Sequence, residues 1–248
     1  MEGLYIDTIR FAKPFEEETY LTGIPAVRWL MENGVFTFRK PVTFFVGENG
    51  SGKSTLIEAI ALASGFNPEG GTFNIRFSTE DSYSELWRHI RLGRIRKPKD
   101  GFFLRAESFY NVAGYIDQHD RDPEYRGSII EYFGGVSLLN QSHGESFLAT
   151  VQNRLGGRGL YIFDEPEAAL SPARLMTLLI EMDRLVKADS QLIISTHSPI
   201  LMSYPGADVF ELSENGINAV DYRQTEHYLI TKRFMDAPEK MLHYLLDE

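Results

Sequence analysis

The sequence contains no cysteine among its 248 residues. Disulfides and thiolate metal sites are therefore excluded, as are the small secreted proteins that depend on disulfides for stability. No apolar run reaches the roughly 18 residues of a membrane-spanning helix. The opening MEGLYIDTIRF also has neither the basic start nor the apolar stretch of a signal peptide. Together these absences predict a cytoplasmic protein with no integral membrane segment.

Positive charge is scarce, since 25 Lys and Arg stand against 35 Asp and Glu, for a net charge of −10. Such a molecule repels nucleic acid and anionic lipid as a whole. The exception is RHIRLGRIRKPK at residues 88–99, with six cations and no acid. This basic stretch is either a patch for phosphate backbone or a solvated strand or hairpin balanced by Glu80, Asp81 and Glu85. Because short basic runs are common, the second interpretation is favoured.

The sequence has the ordinary make-up of a globular protein, with 43% hydrophobic and 24% charged residues. Short β-favouring runs alternate with helical patterns. The predicted strands lie at residues 4–9, 35–39, 42–46, 101–107, 160–163 and 191–195, with a closing hairpin in 207–220. The pattern predicts an α/β fold with a largely parallel core sheet flanked by helices, together with an antiparallel β portion.

The segment GENGSGKS at residues 47–54 fits the phosphate-binding pattern G-x-x-x-x-G-K-[ST] between an apolar strand and a helix. Glycines let the backbone N–H groups turn towards phosphates, and the helix N-terminus adds positive potential. Lys53 can reach the β- and γ-phosphates, and the Ser54 hydroxyl can bind Mg²⁺. The predicted nucleotide contacts are Gly47, Asn49, Gly50, Ser51, Gly52, Lys53, Ser54 and Thr55. The alternative is a glycine-rich turn without a ligand.

Two further motifs follow predicted core strands. Asp164 and Glu165 come directly after LYIF, and His197 follows QLIIS within STHSP. The carboxyl ends of parallel strands face the ligand crevice of an α/β sheet. We expect Asp164 to hold Mg²⁺, Glu165 to act as general base and His197 to donate to the γ-phosphate. The alternatives are acids that cap the next turn and a structural histidine.

The order of these motifs, with Ser-x-Gly-Glu before the Asp-Glu pair, resembles the ATP-binding-cassette ATPases, and most closely small stand-alone bacterial ATPases of that type. The resemblance covers nearly the whole chain. It implies a P-loop NTPase fold in a single domain of residues 1–248, with 108–157 as a small helical subdomain. It also implies that Ser142, Gly144 and Glu145 form the signature motif, which contacts the ATP of a second protomer. The cofactors implied are ATP and Mg²⁺, and the assembly implied is a homodimer.

The sequence departs from the family pattern at two places. The usual signature L-S-G-G-Q is here Gln141-Ser142-His143-Gly144-Glu145, so one glycine is missing. Glu107 stands where the family has a glutamine near Mg²⁺, and it is a third candidate metal ligand after Ser54 and Asp164.

The predicted function is ATP hydrolysis to ADP and phosphate in an ATP-sandwiched homodimer, as motor or switch for a nucleic-acid or defence process. Its partner would be nucleic acid or an effector protein. Two alternatives stay open, the ATP-hydrolysing subunit of a membrane transporter and a non-hydrolysing nucleotide-dependent clamp. The short 108–140 segment argues against the transporter subunit. The presence of Lys53, Asp164, Glu165 and His197 together argues against the clamp.

Overall fold

The computed structural model describes residues 3–74, 83–121 and 128–246. A three-stranded antiparallel sheet places β1 (Ile6–Phe11) between β2 (Val35–Thr37) and β4 (Ile90–Arg94). A six-stranded sheet has the order β5-β6-β7-β3-β8-β9. Its strands are β3 (Val42–Val46), β5 (Asp100–Arg105), β6 (Gly159–Asp164), β7 (Gln191–Ser195), β8 (Asp208–Ser213) and β9 (Gly216–Ala219).

Five of the six strands are parallel, and only β9 pairs in the antiparallel sense, with β8. The predicted α/β class, parallel core and closing hairpin are therefore confirmed. Strands β3, β6 and β7 are buried along their whole length, as the continuous apolar runs of a sheet covered on both faces require. Successive side chains serve opposite faces, so that Phe44 and Phe45 belong to different core clusters.

Helices cover both faces of the core sheet. Helices α1 and α2 contribute buried residues to one cluster, and α4, α5 and α6 contribute to the other. The helices are α1 (Pro25–Asn33), α2 (Lys53–Ser64), α3 (Leu86–His89), α4 (Phe109–Arg121), α5 (His143–Ala149), α6 (Pro172–Lys187), α7 (Pro199–Met202), α8 (Glu226–Asp236) and α9 (Pro238–Leu246). The described residues include no helix long and apolar enough to cross a bilayer.

Several element bounds differ from the sequence expectation. The strand expected over 4–9 runs from Ile6 to Phe11, and the strand expected to reach Glu107 ends at Arg105. The region 108–140, which has no clear pattern, contains the 13-residue helix α4. Its buried face has only four apolar residues, with the acid Asp117 as the fifth buried residue, and this weakens the helical signal. The turn-prone segment at 120–127 lies mostly outside the described residues.

The basic stretch forms part of the antiparallel sheet, and it does not fold back on β5 as a hairpin. Residues 90–94 are strand β4, paired with β1. Arg88 forms an ion pair with Glu85 at 2.9 Å, so the described part of the predicted balance is present. Glu80 and Asp81 lie outside the described residues.

Candidate functional site

The glycine-rich loop leads from the end of β3 into α2, and its two outer glycines are required by geometry. Gly47 has φ 136°, and a Cβ there would lie 2.2 Å from the carbonyl oxygen of Leu212. Gly52 has φ 98°, and a Cβ there would lie 2.4 Å from Ile24 Cγ2. Any other residue at Gly47 or Gly52 would strain the backbone, and its Cβ would collide with a neighbouring segment of the same protein. The motif therefore specifies a turn that only glycine allows at these positions.

Lys53 folds back over the loop. Its Nζ donates to the carbonyl oxygens of Gly47 at 2.8 Å and Glu48 at 2.9 Å, and the residue is only 4% exposed. Burial lowers the pKa of the ammonium, while the charges of Glu165, Asp164 and Glu167 oppose that shift. The buried Lys53 ammonium therefore lies close to three carboxylates. Because the loop carbonyls hold it in place, a bound polyphosphate would meet a positive charge that is already positioned.

The loop also presents unused hydrogen-bond donors. No side chain caps the N-terminus of the 12-residue helix α2. The buried Ser51 hydroxyl has no hydrogen-bond partner within the described ranges. Asn49 and Gly50 are exposed at the tip, whereas Ser54 and Thr55 are half-buried in the first turn of α2. Free N–H groups at a helix N-terminus are what a phosphate requires.

Asp164 lies at the end of β6, next to the end of β7. Its carboxylate accepts a hydrogen bond from the hydroxyl of Ser195 at 2.5 Å. The guanidinium Nε of Arg105 lies 3.6 Å from Oδ2. Burial raises the pKa of this carboxylate, and the hydroxyls of Ser195 and Ser54 together with Arg105 oppose that shift. The two predicted metal ligands, Ser54 and Asp164, lie near enough for the Ser54 hydroxyl to lower the pKa of the carboxylate. In the part of the chain that is described, no cluster of three or more metal-binding side chains occurs.

Glu165 has a left-handed backbone, with φ 48° and ψ 55°. This conformation is costly for a residue other than glycine. Its N–H donates to the carbonyl oxygen of Ser195 at 3.2 Å and to the Ser195 hydroxyl at 3.1 Å, which holds the turn. The side chain is 38% exposed, with Oε1 3.3 Å from His197 Nε2. The strained turn directs this carboxylate out of the sheet edge, beside the histidine.

His197 is held by a second histidine that the sequence does not point to. His227 of α8 places Nε2 2.7 Å from His197 Nδ1. Burial, followed by the charges of Lys53 and His227, lowers the pKa of His197 to about 4, so its ring is neutral at pH 7. A neutral imidazole has one N–H group. With the proton of His197 on Nε2, facing Glu165, Nδ1 accepts a hydrogen bond from His227. His227 thus sets the tautomer that can donate towards a phosphate.

Glu167 is a second residue that motif reading misses. Its carboxylate accepts from the Thr196 hydroxyl at 2.8 Å and from the backbone N–H of His197, and burial raises its pKa. It ties the turn after β6 to the turn after β7. The only sequence signal is an acid two residues after Glu165, and that signal is weak.

Arg105 is a third such residue, at the end of β5. Besides Asp164, its guanidinium contacts Glu58 of α2 at 2.7 Å and Glu107 at 3.7 Å. Glu107, by contrast, is 85% exposed at its side chain. The structure therefore brings Glu107 to Arg105 on the outside of the site, whereas Ser54 and Asp164 lie close together inside it.

The signature segment starts α5, and its residues Ser142 and Glu145 form hydrogen bonds with each other. The Glu145 carboxylate accepts from the Ser142 N–H at 3.0 Å and from the Ser142 hydroxyl. Arg174 of α6 donates to the Ser142 hydroxyl at 3.3 Å and pairs with Glu145 at 3.2 Å. Gly144 is buried, and a Cβ there would lie 2.4 Å from Arg174 Nη1. Residues 141–147 (QSHGESF) thus form the capped N-terminus of a helix that packs against α6.

The predicted residues form two groups. Glu48, Asn49, Glu165, His197 and His227 line a surface cavity of about 590 Å³. An adjoining cavity of about 610 Å³ is lined by the loop residues 47–51 and by 211–215. Ser142, Gly144 and Glu145 line neither cavity. The P-loop, Asp164, Glu165 and His197 therefore come together within the chain, and the signature segment stands apart.

Two family models match the chain. One, described as an AAA domain, matches residues 24–113 and so includes the glycine-rich loop. The other, described as "AAA domain, putative AbiEii toxin, Type IV TA system", matches residues 146–203 and so includes Asp164, Glu165 and His197. No curated protein sequence matches the chain.

Similar solved structures include an ATP-binding cassette of an ABC transporter in its ADP conformation. It is 17% identical, with a TM-score of 0.51, covering 98% of this chain and 100% of that one. A "putative metal-chelate type ABC transporter" is 13% identical, with a TM-score of 0.51 and coverages of 92% and 88%. An SMC head domain from Thermotoga maritima is 14% identical, with a TM-score of 0.44 and coverages of 88% and 99%, too low a score to carry an argument. At these identities the likeness establishes the fold.

Proposed function

Because this chain is a P-loop ATPase of the ABC and AAA type, we propose that it hydrolyses ATP in a head-to-tail homodimer that acts as a cytoplasmic switch. The observation that carries the proposal is the meeting of Lys53, Asp164, Glu165 and His197 at one sheet edge. Residues 1–248 then form a single ATPase domain, in which 108–157 is the subdomain with the signature segment.

The first step is phosphate binding. The loop Gly47–Thr55 surrounds the polyphosphate with N–H groups, and Lys53 turns from its own loop carbonyls to the β- and γ-phosphates. Ser54 and Asp164 would hold Mg²⁺, and the ion would supply positive charge that neutralises the phosphates. Glu107, outside Arg105, contributes at most through the water around the ion.

The second step is water attack. Glu165 accepts a proton from the water as the new oxygen–phosphorus bond forms and the bond to the ADP oxygen breaks. His197, neutral and protonated on Nε2, donates to a γ-phosphate oxygen and stabilises the negative charge that develops there. His227 keeps that proton on Nε2, and Glu167 holds the backbone of the same turn.

The third element is the partner protomer. Ser142 and Glu145 are exposed at the start of α5, with the buried Gly144 between them, and the segment lies away from the chain's own P-loop. In a two-fold dimer they meet the γ-phosphate bound to the other protomer. The helix N-terminus supports this placement, because its dipole favours an anion. ATP then stabilises the dimer, since it contacts both protomers only when they are together.

The output of the cycle is proposed to be a defence or nucleic-acid process. The description of the second family model, which names a toxin of a type IV TA system, favours defence over transport. A pulldown from the native host with the Glu165→Gln variant and ATP, with and without nuclease, tests this output. We expect an effector protein or nucleic acid to be retained only with ATP, and recovery of a membrane transport subunit instead would contradict it.

Light scattering after size exclusion tests the dimer. Glu165→Gln with ATP and Mg²⁺ is expected to elute as a dimer, and with ADP as a monomer. Ser142→Arg in the same background is the matched control, because it keeps the P-loop and replaces a small hydroxyl at the proposed interface with a bulky cation. A monomer under all conditions for Glu165→Gln would overturn the sandwich.

A further inference from the structure

A further cavity lies at the amino-terminal ends of the core-sheet strands, opposite the ends at which the P-loop lies. Its volume is about 770 Å³, and its lining includes Asp100 and Gly101 of β5 and Leu160 of β6. These residues open their strands, whereas the P-loop follows the last residue of β3, and the strands run parallel. Strands of this length separate the two edges by about 15–20 Å. The cavity is therefore distinct from the ATP site.

The lining is strongly positive in a chain whose net charge is −10. Among the described residues, it contains five cations, Arg94, Arg96, Lys97, Lys99 and Arg154, against one carboxylate, Asp100. Four of the five cations belong to the basic stretch of residues 88–99, which takes no part in the ATP site. Positive charge concentrated in a concave site attracts anions more strongly than the same charge on a flat surface.

The three arginines are already held as part of the wall. Both terminal nitrogens of Arg96 donate to Asp189 at 2.6 Å, and its guanidinium lies over the Tyr5 ring at 4.2 Å. Arg154 pairs with Asp100 at 3.0 Å, and Arg94 donates to the carbonyl oxygen of Ala63 at 2.7 Å. Their positions are thus fixed before any ligand arrives.

The two lysines differ from the arginines. Lys97 and Lys99 are exposed on the cavity rim. Within residues 3–74, 83–121 and 128–246, neither forms an ion pair, although Asp100 follows Lys99 directly and pairs with Arg154 instead. Their ammonium groups can therefore bind an anion without breaking an existing contact.

An aromatic surface lies in the same cavity. Phe73 is half-buried and stacks on the buried Phe66, with centroids 4.2 Å apart and planes at 15°. A Cβ on Gly101 would lie 2.4 Å from the Phe73 ring, so the ring occupies the space that a side chain on β5 would take. A planar ring can stack on such an aromatic surface.

We propose that this cavity binds a small phosphorylated ligand with a planar ring, a nucleotide of about the size of AMP. Lys97 and Lys99 bind the phosphate, and Phe73 stacks on the base. The volume is that of a small-molecule pocket, and a few fixed polar groups beside an aromatic surface are typical of one.

Calorimetry on the Lys53→Ala variant tests the proposal, because that change removes phosphate binding at the P-loop. The probes are AMP, inorganic pyrophosphate and a short single-stranded oligonucleotide. We expect AMP to bind once per chain and to weaken with added salt. Lys97→Ala with Lys99→Ala should weaken AMP and pyrophosphate at least tenfold. Phe73→Leu should weaken AMP about tenfold and leave pyrophosphate unchanged, since only AMP has a ring to stack.

The matched control is Lys232→Ala with Lys240→Ala, which removes two exposed charges from α8 and α9 and should change neither affinity. In the wild-type background, Lys97→Ala with Lys99→Ala should leave ATP hydrolysis unchanged, which separates this cavity from the ATP site. The proposal is overturned if AMP does not bind, or if the lysine variant binds it as well as the control. Binding of the oligonucleotide without AMP would overturn it in favour of a nucleic-acid surface.

Discussion

The P-loop and the signature segment both start a helix, but they differ in what satisfies their polar groups. Helix α2 begins without a side-chain cap, beside a buried Ser51 hydroxyl that has no partner in the described residues. Ser142 directly precedes helix α5, and its N–H and hydroxyl both donate to the Glu145 carboxylate. The first start has donors in reserve for a phosphate. The second is stable as it stands, and Ser142 must exchange contacts before it can bind one.

This comparison suggests that the two halves of the proposed site respond differently to substitution. Substitutions in the P-loop half should abolish steps that one protomer performs alone, such as ATP binding. Substitutions in the signature half should leave those steps intact and affect only dimerisation and turnover, which require two protomers.

The largest effect is expected for Lys53→Ala. Loss of the buried ammonium removes the cation that meets the phosphates, and ATP binding, measured by calorimetry, should fall below detection. Lys13→Ala, which removes an exposed lysine that pairs only with Glu16, should bind normally. Normal ATP affinity for Lys53→Ala would remove the P-loop from the nucleotide site.

Glu165→Gln should bind ATP and lose turnover by roughly 100- to 10,000-fold, because the amide does not accept the proton of the attacking water. Phosphate release with saturating ATP measures it. Glu18→Gln, a change of the same type on the exposed loop before α1, should be neutral. Unchanged turnover in Glu165→Gln would assign the general base elsewhere.

Ser142→Arg should bind ATP with normal affinity and lose turnover at least tenfold, because the lesion lies on the partner face only. Mixing it with Lys53→Ala produces mixed dimers with one site whose halves are both intact. Part of the activity should therefore return, although each variant alone is inactive. Full turnover by monomeric Ser142→Arg would reduce QSHGESF to a helix cap.

Arg105→Met tests what holds Asp164 in place. It leaves Asp164 and Glu58 without their shared cation, and we expect a loss of about 3 kcal/mol in the free energy of unfolding, at the lower end for a broken buried pair. Urea denaturation measures it. Arg223→Met, which breaks an exposed pair with Asp221, should cost less than about 1 kcal/mol. Equal losses of unfolding free energy in the two variants would show that Arg105 contributes no more to stability than an exposed ion pair does.

The smallest effect concerns pH. The folded pKa of His197 is about 4, below its ordinary value of 6.5, so between these values the unfolded chain binds a proton that the folded chain does not. Stability should therefore fall as pH drops from 6.5 towards 4. His227→Gln removes a contributing charge but leaves the burial, so the pKa of His197, followed by NMR, should rise slightly. His243→Gln on α9 should not move it, and an unchanged pKa in His227→Gln would deny the contact.

Local patterns in the sequence determined the fold class, the parallel core and the positions of Lys53, Asp164, Glu165 and His197. Buried strands require continuous apolar runs, and the P-loop requires glycines at fixed spacing, so both appear as short motifs. Parallel strands then bring the residues after each strand to one edge. The bounds of α4 escaped this reading because its apolar face consists of only four residues, with the acid Asp117 as the fifth buried residue.

Only the tertiary structure decided which residues support that site. Arg105, Glu167 and His227 act on Asp164 and His197 across 30 to 59 residues of sequence, and a contact between distant residues leaves no spacing to recognise. The same holds for the second cavity. Its lysines were visible as a basic run, but the aromatic ring opposite them and the arginines already held by acids became apparent only once the strands were assembled. Their function depends on neighbours that packing brings together.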